Sequence, residues 1–187
     1  MRLAIYLVAA AALLGAAYLV FQVIVKRAYL RRGQLDAPAI VLQLLIWFAF
    51  ALFPYLYSPG DWAWFWAHPH PIGRGMGAIV VVLLVAGLAG LVAAIAQLGV
   101  IRFVGARAAA LQVSGLYRVT RNPQLVALFP LVVGLALLRP TWFALGWVTI
   151  YCVMAHLMVL AEETHLRRRF GEAYDQYCAQ VPRYVGR

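Results

Sequence analysis

The stretch Tyr117–Leu125, YRVTRNPQL, places polar groups that could bind an anion at the start of an apolar run. Asn122 is a favourable N-cap and Pro123 suits a first helical turn, so the sequence predicts that a helix begins here. The unpaired amides and the dipole of such a helix start favour an anion. Arg121 adds a planar, permanently charged donor beside it. The stretch therefore predicts a site for a carboxylate, and the alternative is an ordinary cap beside a topology-setting arginine.

Two adjacent carboxylates, Glu162 and Glu163, follow the apolar run Trp142–Ala161, and we expect the helix formed by that run to end at them. Charges at the edge of a membrane are costly unless they are paired or functional. If the acids face Arg121, the two poles match an amino-acid zwitterion, with its carboxylate at the helix start and its ammonium, or ribose hydroxyls, at the glutamates. The alternative is an Arg–Glu ion pair that only pins two helices together.

The composition places these groups in a membrane protein. Of the 187 residues, 65% are hydrophobic and 12% are charged, and the mean hydropathy is +0.84. Soluble domains are about 45–50% apolar and about 25% charged. The net charge of +10 would suit nucleic acid in a soluble protein. Here the basic residues lie between apolar runs, where membrane topology and anionic lipids explain them. We therefore expect an all-α integral membrane protein with no nucleic-acid partner.

Five apolar segments are predicted to span the membrane as helices, and residues 1–187 are expected to form a single membrane domain. The turn Arg139-Pro140 joins the last two segments into a hairpin. Residues 1–111 then form a three-span N-terminal part, and residues 112–187 form the hairpin and a cytoplasmic tail. The five segments are Leu3–Val25, Pro38–Tyr57, Ala78–Leu98, Pro123–Leu138 and Trp142–Ala161.

Small residues in the third segment predict close helix packing. Ala86, Gly90 and Ala94 recur every four residues, a spacing that lets two membrane helices approach each other closely. We expect these three residues to face a neighbouring helix.

The distribution of basic residues predicts the orientation of the spans. Thirteen of the sixteen lie in the first loop, the third loop and the tail, and three lie on the opposite side. The positive-inside rule then places the N-terminus outside and the C-terminus in the cytoplasm, in the cell (inner) membrane. The thirteen are Lys26, Arg27, Arg31, Arg32, Arg102, Arg107, Arg118, Arg121, Arg167, Arg168, Arg169, Arg183 and Arg187.

The tail, residues 162–187, predicts an amphipathic segment at the cytoplasmic interface because it carries an apolar stripe at helical spacing. Gly171 is unfavourable inside a helix by about 1 kcal/mol and indicates a break. A basic tail that merely anchors to anionic lipid is the alternative. The stripe consists of Leu166, Phe170, Tyr174, Tyr177 and Val181.

No metal site is expected. His68 and His70 flank a proline in the second loop, and no third ligand lies nearby in the sequence. Cys152 falls in a span and Cys178 in the tail, so neither a zinc spacing nor a disulfide is indicated.

The order of these elements resembles the superfamily of isoprenylcysteine carboxyl methyltransferases and phospholipid methyltransferases. The similar residues are SGLYRVTRNPQ (114–124), the Glu162–Glu163 pair, and LRRRFGEAYDQYCAQVPRY (166–184). Members of this superfamily are integral membrane enzymes that use S-adenosylmethionine. The resemblance implies that the chain transfers a methyl group from S-adenosylmethionine to a lipid-like acceptor.

The same resemblance assigns roles to individual residues. Gly115 and Tyr117 lie in the loop that covers the cofactor, and Tyr174 and Tyr177 of the tail close its pocket. Two positions depart from the family pattern, because Leu125 and Ala127 stand where the family usually has Tyr and Gly. The implied cofactor-binding residues are Gly115, Tyr117, Arg121, Asn122, Pro123, Glu162, Glu163, Tyr174 and Tyr177.

The acceptor determines the acid–base chemistry, and the sequence leaves it open. A prenylcysteine carboxylate is already nucleophilic and would need an arginine such as Arg118 or Arg183 to position it. A phospholipid amine must lose a proton, which Glu163 or water would accept. Glu163 and Arg118 are therefore the candidate catalytic residues, and the expected partners are membrane lipids and a lipid or prenylated small-molecule acceptor.

Two other classes of protein remain open. A membrane reductase of similar fold would bind NADPH, and Arg167–Arg169 could supply the basic contacts that its 2′-phosphate needs. A non-enzymatic membrane protein would use the Arg–Glu pair for structure alone.

Overall fold

The computed structural model describes residues 2–56, 74–99 and 111–186. In these ranges the chain forms α-helices, a π-helical turn and short 3₁₀ turns without any β-strand, so the expected all-α class is confirmed for them. The loop that contains His68 and His70 lies outside the described residues. The α-helices are α1 (Arg2–Tyr18), α2 (Lys26–Arg32), α3 (Ala37–Leu52), α4 (Arg74–Leu98), α5 (Pro123–Leu137), α6 (Trp142–Phe170) and α7 (Glu172–Gln180).

Four helical segments among the described residues are long and apolar enough to cross a membrane. Helix α5 is also apolar but has only 15 residues. At the rise of an α-helix this is about 22 Å, less than a bilayer core of about 30 Å. Four of the five expected spans thus reach the length of a bilayer, and α5 falls short of it. The four segments are Leu3–Arg32, Ala37–Leu56, Gly75–Leu98 and Trp142–Phe170.

The first helical segment extends past the apolar run Leu3–Val25, because the basic residues that follow the run continue the helix as α2. The π-helical turn Leu19–Val25 joins α1 to α2. The segment ends at Gly33, whose φ of +68° lies in the left-handed region that favours glycine.

Helices α1, α3 and α6 pack around one apolar core. The Tyr6 hydroxyl on α1 donates to the carbonyl oxygen of Phe143 on α6 at 3.0 Å. Trp147 on α6 donates from Nε1 to the carbonyl oxygen of Phe50, at the far end of α3, also at 3.0 Å. These contacts join the beginning of α1, the beginning of α6 and the end of α3 at one end of the molecule.

The opposite end of the molecule carries the basic residues of α2 and α6. Tyr29 of α2 stacks on His165 of α6 with ring centroids 4.3 Å apart. Arg169 donates from Nη1 to the carbonyl oxygen of Gly33 at 3.2 Å. Because α1 and α6 run parallel, the clusters 26–32 and 167–169 lie at the same end, as the topology prediction requires.

Helix α6 does not end at Glu162 and Glu163; that expectation is wrong, because the helix continues to Phe170. The stacking of His165 on Tyr29 and the contacts of the following arginines with the end of α2 support the extension. The helix ends where Gly171 takes a φ of +52°, so the expected break at this glycine is confirmed.

Helices α4 and α5 pack closely along their length. A Cβ atom at Gly87 would lie 2.9 Å from the carbonyl oxygen of Ala127, and one at Gly90 would lie 3.0 Å from the Ala127 Cβ. Ala94 is buried on the same helix. Ala86, which we expected in this row, is exposed, and Gly87 occupies the contact face instead.

Helices α5 and α6 form the expected hairpin. The amide of Arg139 donates to the carbonyl oxygen of Ala136 at 3.2 Å in the turn. Thr141 then caps α6, because its hydroxyl accepts a hydrogen bond from the Ala144 amide at 3.1 Å. The hairpin brings the beginning of α5 to the same end of the molecule as the glutamates of α6.

Candidate functional site

The turn that precedes α5 is held against the end of α4. Gly115 has a φ of +62°, and a Cβ atom there would lie 2.5 Å from the Gln97 carboxamide oxygen. That oxygen accepts a hydrogen bond from the Leu116 amide at 2.9 Å. The positive φ and the close approach both require glycine at position 115, so this turn of the predicted site has a fixed shape.

Tyr117 lies at the centre of this turn and is buried. Its hydroxyl donates to Oε1 of Gln124 at 3.2 Å, and its carbonyl oxygen accepts from the Tyr177 hydroxyl at 2.6 Å. The turn, the start of α5 and helix α7 are therefore joined through one tyrosine.

Asn122 and Pro123 occupy the predicted start of α5, but the Asn122 side chain does not cap it. The Asn122 carbonyl oxygen accepts the first helical amides, whereas its Nδ2 donates to the carbonyl oxygen of Arg183 at 3.0 Å. The expected side-chain cap is thus wrong, because the Asn122 carboxamide bonds to the C-terminal segment instead of the first amides of α5. Pro123 is buried at the first helical position, as predicted.

The C-terminal segment Val181–Val185, here called the strap, lies across the start of α5. The amide of Arg121 donates to the carbonyl oxygen of Pro182 at 3.0 Å. The Thr120 hydroxyl donates to the carbonyl oxygen of Arg183 at 3.2 Å, beside the bond from Asn122. These three hydrogen bonds tie the strap to the residues that the sequence identified.

Glu163 is the acidic centre of the site. Arg121 lies 2.9 Å from its Oε1, and the side chains of this ion pair are only 11% and 6% exposed. Arg183 binds the same carboxylate through two nitrogens, with Nε at 2.9 Å from Oε1 and Nη2 at 2.7 Å from Oε2. This hydrogen bonding raises the pKa of Arg183. Two guanidinium groups therefore compensate one buried carboxylate, and the Arg–Glu pair of the structural alternative is present.

Arg121 retains one group without a partner. Its Nη1 also lies 2.7 Å from the Cys178 sulfur. Its Nε is buried and has no hydrogen-bond partner in the part of the chain that the structure describes. A buried N–H without a partner is costly, and in native sites such a group indicates strain or a missing ligand.

Glu162 differs from its neighbour, because its carboxylate forms no hydrogen bond or ion pair with any residue in the ranges described above. Burial raises the pKa of Tyr117, and the nearby charge of Glu162 raises it further. Among the described residues, the site thus contains one carboxylate with two guanidinium partners and one with none.

Tyr174 and Tyr177 lie on the inner face of α7 and are both buried. They form a small apolar cluster with Val181, against which Leu166 and Phe170 pack. Burial raises the pKa of Tyr177 to about 12, although the charge of Arg121 opposes the change. Burial also raises the pKa of Tyr174, which lies close to Glu163 and Arg121. Both predicted tail residues therefore reach the site.

The remaining arginines lie apart from this cluster. Arg118 is exposed on the 3₁₀ turn Gly115–Arg118, and the structure does not bring it to the glutamates. Arg167 pairs with Asp175 at 2.9 Å, and Arg168 and Arg169 donate to backbone carbonyl oxygens at the end of α2. The three consecutive arginines are thus engaged in contacts within the fold.

An apolar groove of about 570 Å³ opens between α5, α6 and the strap. His156 lies on its wall, and its Nδ1 is 3.1 Å from the Tyr184 hydroxyl. Sequence reasoning missed this histidine, although an imidazole within an apolar run of a membrane helix is itself a signal. The groove is lined by Leu125, Val126, Phe129, Tyr151, Cys152, Val153, Ala155, His156, Leu157, Tyr184 and Val185.

The structure shows the contacts of Leu125 and Ala127, the two positions that depart from the family pattern. Leu125 is buried, lines the groove, and offers its carbonyl oxygen to the Tyr151 hydroxyl at 2.6 Å. Ala127 lies at the close contact between α4 and α5. The first departure therefore makes the groove more apolar, and the second belongs to helix packing.

Comparison with known proteins places the chain in a family. Residues 74–173 match the family model described as phospholipid methyltransferase. The match covers α4, the site turn, the α5–α6 hairpin and the start of α7, and it stops before the strap. Neither the curated proteins nor the solved structures give a significant match. The chain belongs to the phospholipid methyltransferase family, within the membrane superfamily of isoprenylcysteine and phospholipid methyltransferases.

Proposed function

We propose that the protein transfers a methyl group from S-adenosylmethionine to the amine head of a membrane lipid. Membership of a membrane methyltransferase family supports the reaction type. The observation that carries the proposal is Glu162, a carboxylate without a partner among the described side chains, beside the doubly paired Glu163. We infer the cofactor from the groups that Arg121 and Glu162 could bind, and the acceptor from the residues that line the groove.

The residues present fit the amino-acid end of S-adenosylmethionine. Its carboxylate needs a cationic donor, and the partnerless, buried Nε of Arg121 supplies one. Its ammonium needs an anion, and the Glu162 carboxylate is available. Glu163 holds Arg121 in place through the 2.9 Å ion pair, so its role here is positioning.

The turn and the tail would enclose the rest of the cofactor. Gly115 and Tyr117 form a fixed turn on one side, and Tyr174 and Tyr177 form a buried aromatic face on the other. When bound, the cofactor supplies an activated methyl group on a sulfonium, so the chain has to position the acceptor in line with it. Positioning of this kind can lower the activation barrier by up to about 7–11 kcal/mol.

The groove supports a lipid-borne acceptor. Its walls are almost entirely apolar, which suits an acyl or prenyl tail. A carboxylate head would need a cation, yet none of the described residues that line the groove is Arg or Lys. Arg183 is committed to Glu163, and Arg118 is exposed on a turn. An amine head is therefore favoured over a prenylcysteine carboxylate.

The same contacts weigh against the two other classes. The arginines at 167–169, which a reductase would need for the 2′-phosphate of NADPH, are engaged within the fold. A purely structural Arg–Glu pair would not need the available carboxylate of Glu162 or the orphaned Nε of Arg121.

We also propose that α5 serves as a fifth, short span and that α7 lies at the cytoplasmic interface. The hairpin with α6 and the packing against α4 support the fifth span, because α5 runs antiparallel to one helix that is long enough to cross the membrane and lies along another. A short span leaves the start of α5 below the membrane surface, where a water-soluble cofactor and a lipid can meet. The N-terminus is then outside, the C-terminus cytoplasmic, and residues 1–187 form one domain.

The test is a methyl-transfer assay with labelled S-adenosylmethionine and the purified full-length protein. The acceptors are phosphatidylethanolamine vesicles, a prenylcysteine analogue and small thiols. We expect label in the phosphatidylethanolamine. Label in the thiols alone, or in no acceptor, would overturn the proposal, and label in the prenylcysteine analogue alone would overturn the choice of an amine.

A further inference from the structure

His156 is a polar group in an apolar setting, and the site described above does not use it. It lies within the apolar part of α6 and lines the groove between α5, α6 and the strap. Ionisable side chains at such positions are costly and are retained mainly where they act on a substrate or an ion. Its Nδ1 is 3.1 Å from the Tyr184 hydroxyl.

The second ring nitrogen of His156, Nε2, has no partner among residues 2–56, 74–99 and 111–186. The other polar groups on the groove wall are few. The Tyr151 hydroxyl is used by the Leu125 carbonyl oxygen, and the Tyr184 hydroxyl is used by His156 itself. The third is the Cys152 thiol, and α5 contributes only apolar side chains to the wall. Nε2 is therefore the basic nitrogen that an acceptor in the groove would meet.

The position of His156 relates it to the cofactor site. Glu163 lies seven positions further along the same helix. That separation is two turns, so the two side chains lie on one face, about 10.5 Å apart along the axis. Adjacent strap residues hold both ends, because Arg183 binds Glu163 and Tyr184 binds His156. The strap thus aligns the cofactor end of α6 with the groove.

We propose that His156 binds the amine head of the lipid acceptor through Nε2 and takes up its proton, with Tyr184 as the residue that orients the imidazole. This inference rests on the proposed function. In the proposed state the Tyr184 hydroxyl, 3.1 Å from Nδ1, accepts the Nδ1 hydrogen, and Nε2 is then the ring nitrogen that can accept a proton.

The proton and electron balance is complete within the groove. The ammonium N–H proton passes to Nε2, and the freed lone pair forms a bond with the transferred methyl carbon. The bond from that carbon to sulfur breaks, and its electron pair stays on the sulfur, which becomes a neutral thioether. The imidazolium then releases its proton to water at the cytoplasmic end of the groove.

The first readout does not require turnover. Nitrogen NMR of the His156 ring is recorded in nanodiscs that contain phosphatidylethanolamine or phosphatidylcholine, whose quaternary amine has no N–H. We expect the Nε2 resonance to shift in phosphatidylethanolamine only. Equal spectra in the two lipids would overturn the proposed contact.

The second readout is the pH profile of methyl transfer into phosphatidylethanolamine. The wild-type kcat should rise with pH through one ionisation, and His156→Gln should lose that rise and at least tenfold of kcat. Tyr184→Phe should lower kcat less and keep the rise. Thr149→Ala, exposed on the same helix face two turns away, is the matched control and should behave as wild type.

Binding of S-adenosylhomocysteine distinguishes a specific effect of His156→Gln on methyl transfer from misfolding of the variant. It should be unchanged in His156→Gln, which also shows that the variant is folded. A His156→Gln variant with the wild-type rate and pH profile would overturn this inference alone. A wild-type protein that methylates no lipid would overturn the proposed function and this inference with it.

Discussion

At the scale of single residues, the site depends on the different surroundings of two adjacent carboxylates. Glu163 is nearly buried and is compensated by Arg121 and Arg183. Glu162 has no such partner among the described side chains. Neighbouring residues on a helix point about 100° apart, so one carboxylate faces the strap and the other does not. The sequence predicts a pair of acids with shared roles, whereas the structure gives ion-pair partners to Glu163 alone among the described residues.

Glu163→Gln is expected to destabilise the protein, and Glu162→Gln is not. The first change leaves two guanidinium groups without a counter-charge, and removal of one partner of a buried ion pair costs on the order of 3 kcal/mol. The second change removes a charge that no described group compensates. Thermal unfolding of both variants in detergent, without ligand, measures the difference. Equal melting temperatures for the two variants would contradict this division of roles.

At the scale of elements, a tyrosine hydroxyl joins α7 to the turn that precedes α5. Tyr177 donates to the Tyr117 carbonyl oxygen at 2.6 Å, and burial raises its pKa to about 12. The folded protein therefore holds this proton more tightly than the unfolded chain, where the pKa of tyrosine is about 10. The resulting stability is complete below pH 10 and is lost as the pH rises towards 12.

Tyr177→Phe is expected to lower stability by about 1 kcal/mol at neutral pH, because one buried hydrogen bond is lost. It should also weaken the fall in stability between about pH 10 and pH 12. Denaturation curves at neutral and alkaline pH measure both effects. The exposed Tyr18 provides the control, and Tyr18→Phe should change neither. An unchanged alkaline fall in Tyr177→Phe would refute the assignment.

The packing of α4 on α5 is expected to fail when Gly87 gains a side chain. In Gly87→Ala the new Cβ would lie 2.7 Å from the Leu131 Cγ and 2.9 Å from the Leu131 amide nitrogen, so backbone has to move. Overpacking of this kind costs about 1–3 kcal/mol. Gly15→Ala on α1, with no atom within 4 Å of the added Cβ, is the control and should not destabilise. Equal melting temperatures for the two variants would contradict the contact.

Much of this architecture is predictable from the sequence, and the exceptions have physical reasons. The Arg139-Pro140 turn, the start of α5 at Pro123 and the break at Gly171 follow from local backbone preferences, and the structure confirms them. The end of α6 is mispredicted because packing against α2 overrides the polarity of the sequence. The strap was not predictable, since its hydrogen bonds join residues about sixty positions apart.

At the scale of the whole molecule, the basic clusters 26–32 and 167–169 and the site lie at one end, and the α5–α6 turn lies at the other. Leu56 ends the second span, and Ala179 is exposed on α7. We therefore expect Leu56→Cys and Ala179→Cys, in a Cys152→Ser, Cys178→Ser background, to react with a membrane-impermeant thiol reagent from opposite sides of intact cells. Reaction of both from the same side would show that the proposed orientation is wrong.

The central claim is that this end of the molecule binds S-adenosylmethionine through Arg121 and Glu162. Its most direct test is titration calorimetry of the detergent-purified wild-type protein and Glu162→Gln with S-adenosylhomocysteine and with NADPH. We predict that the wild type binds S-adenosylhomocysteine and not NADPH. We also predict that Glu162→Gln weakens the binding at least tenfold, about 1.4 kcal/mol, with an unchanged melting temperature. Binding of NADPH, binding of neither ligand, or full affinity in Glu162→Gln would contradict it.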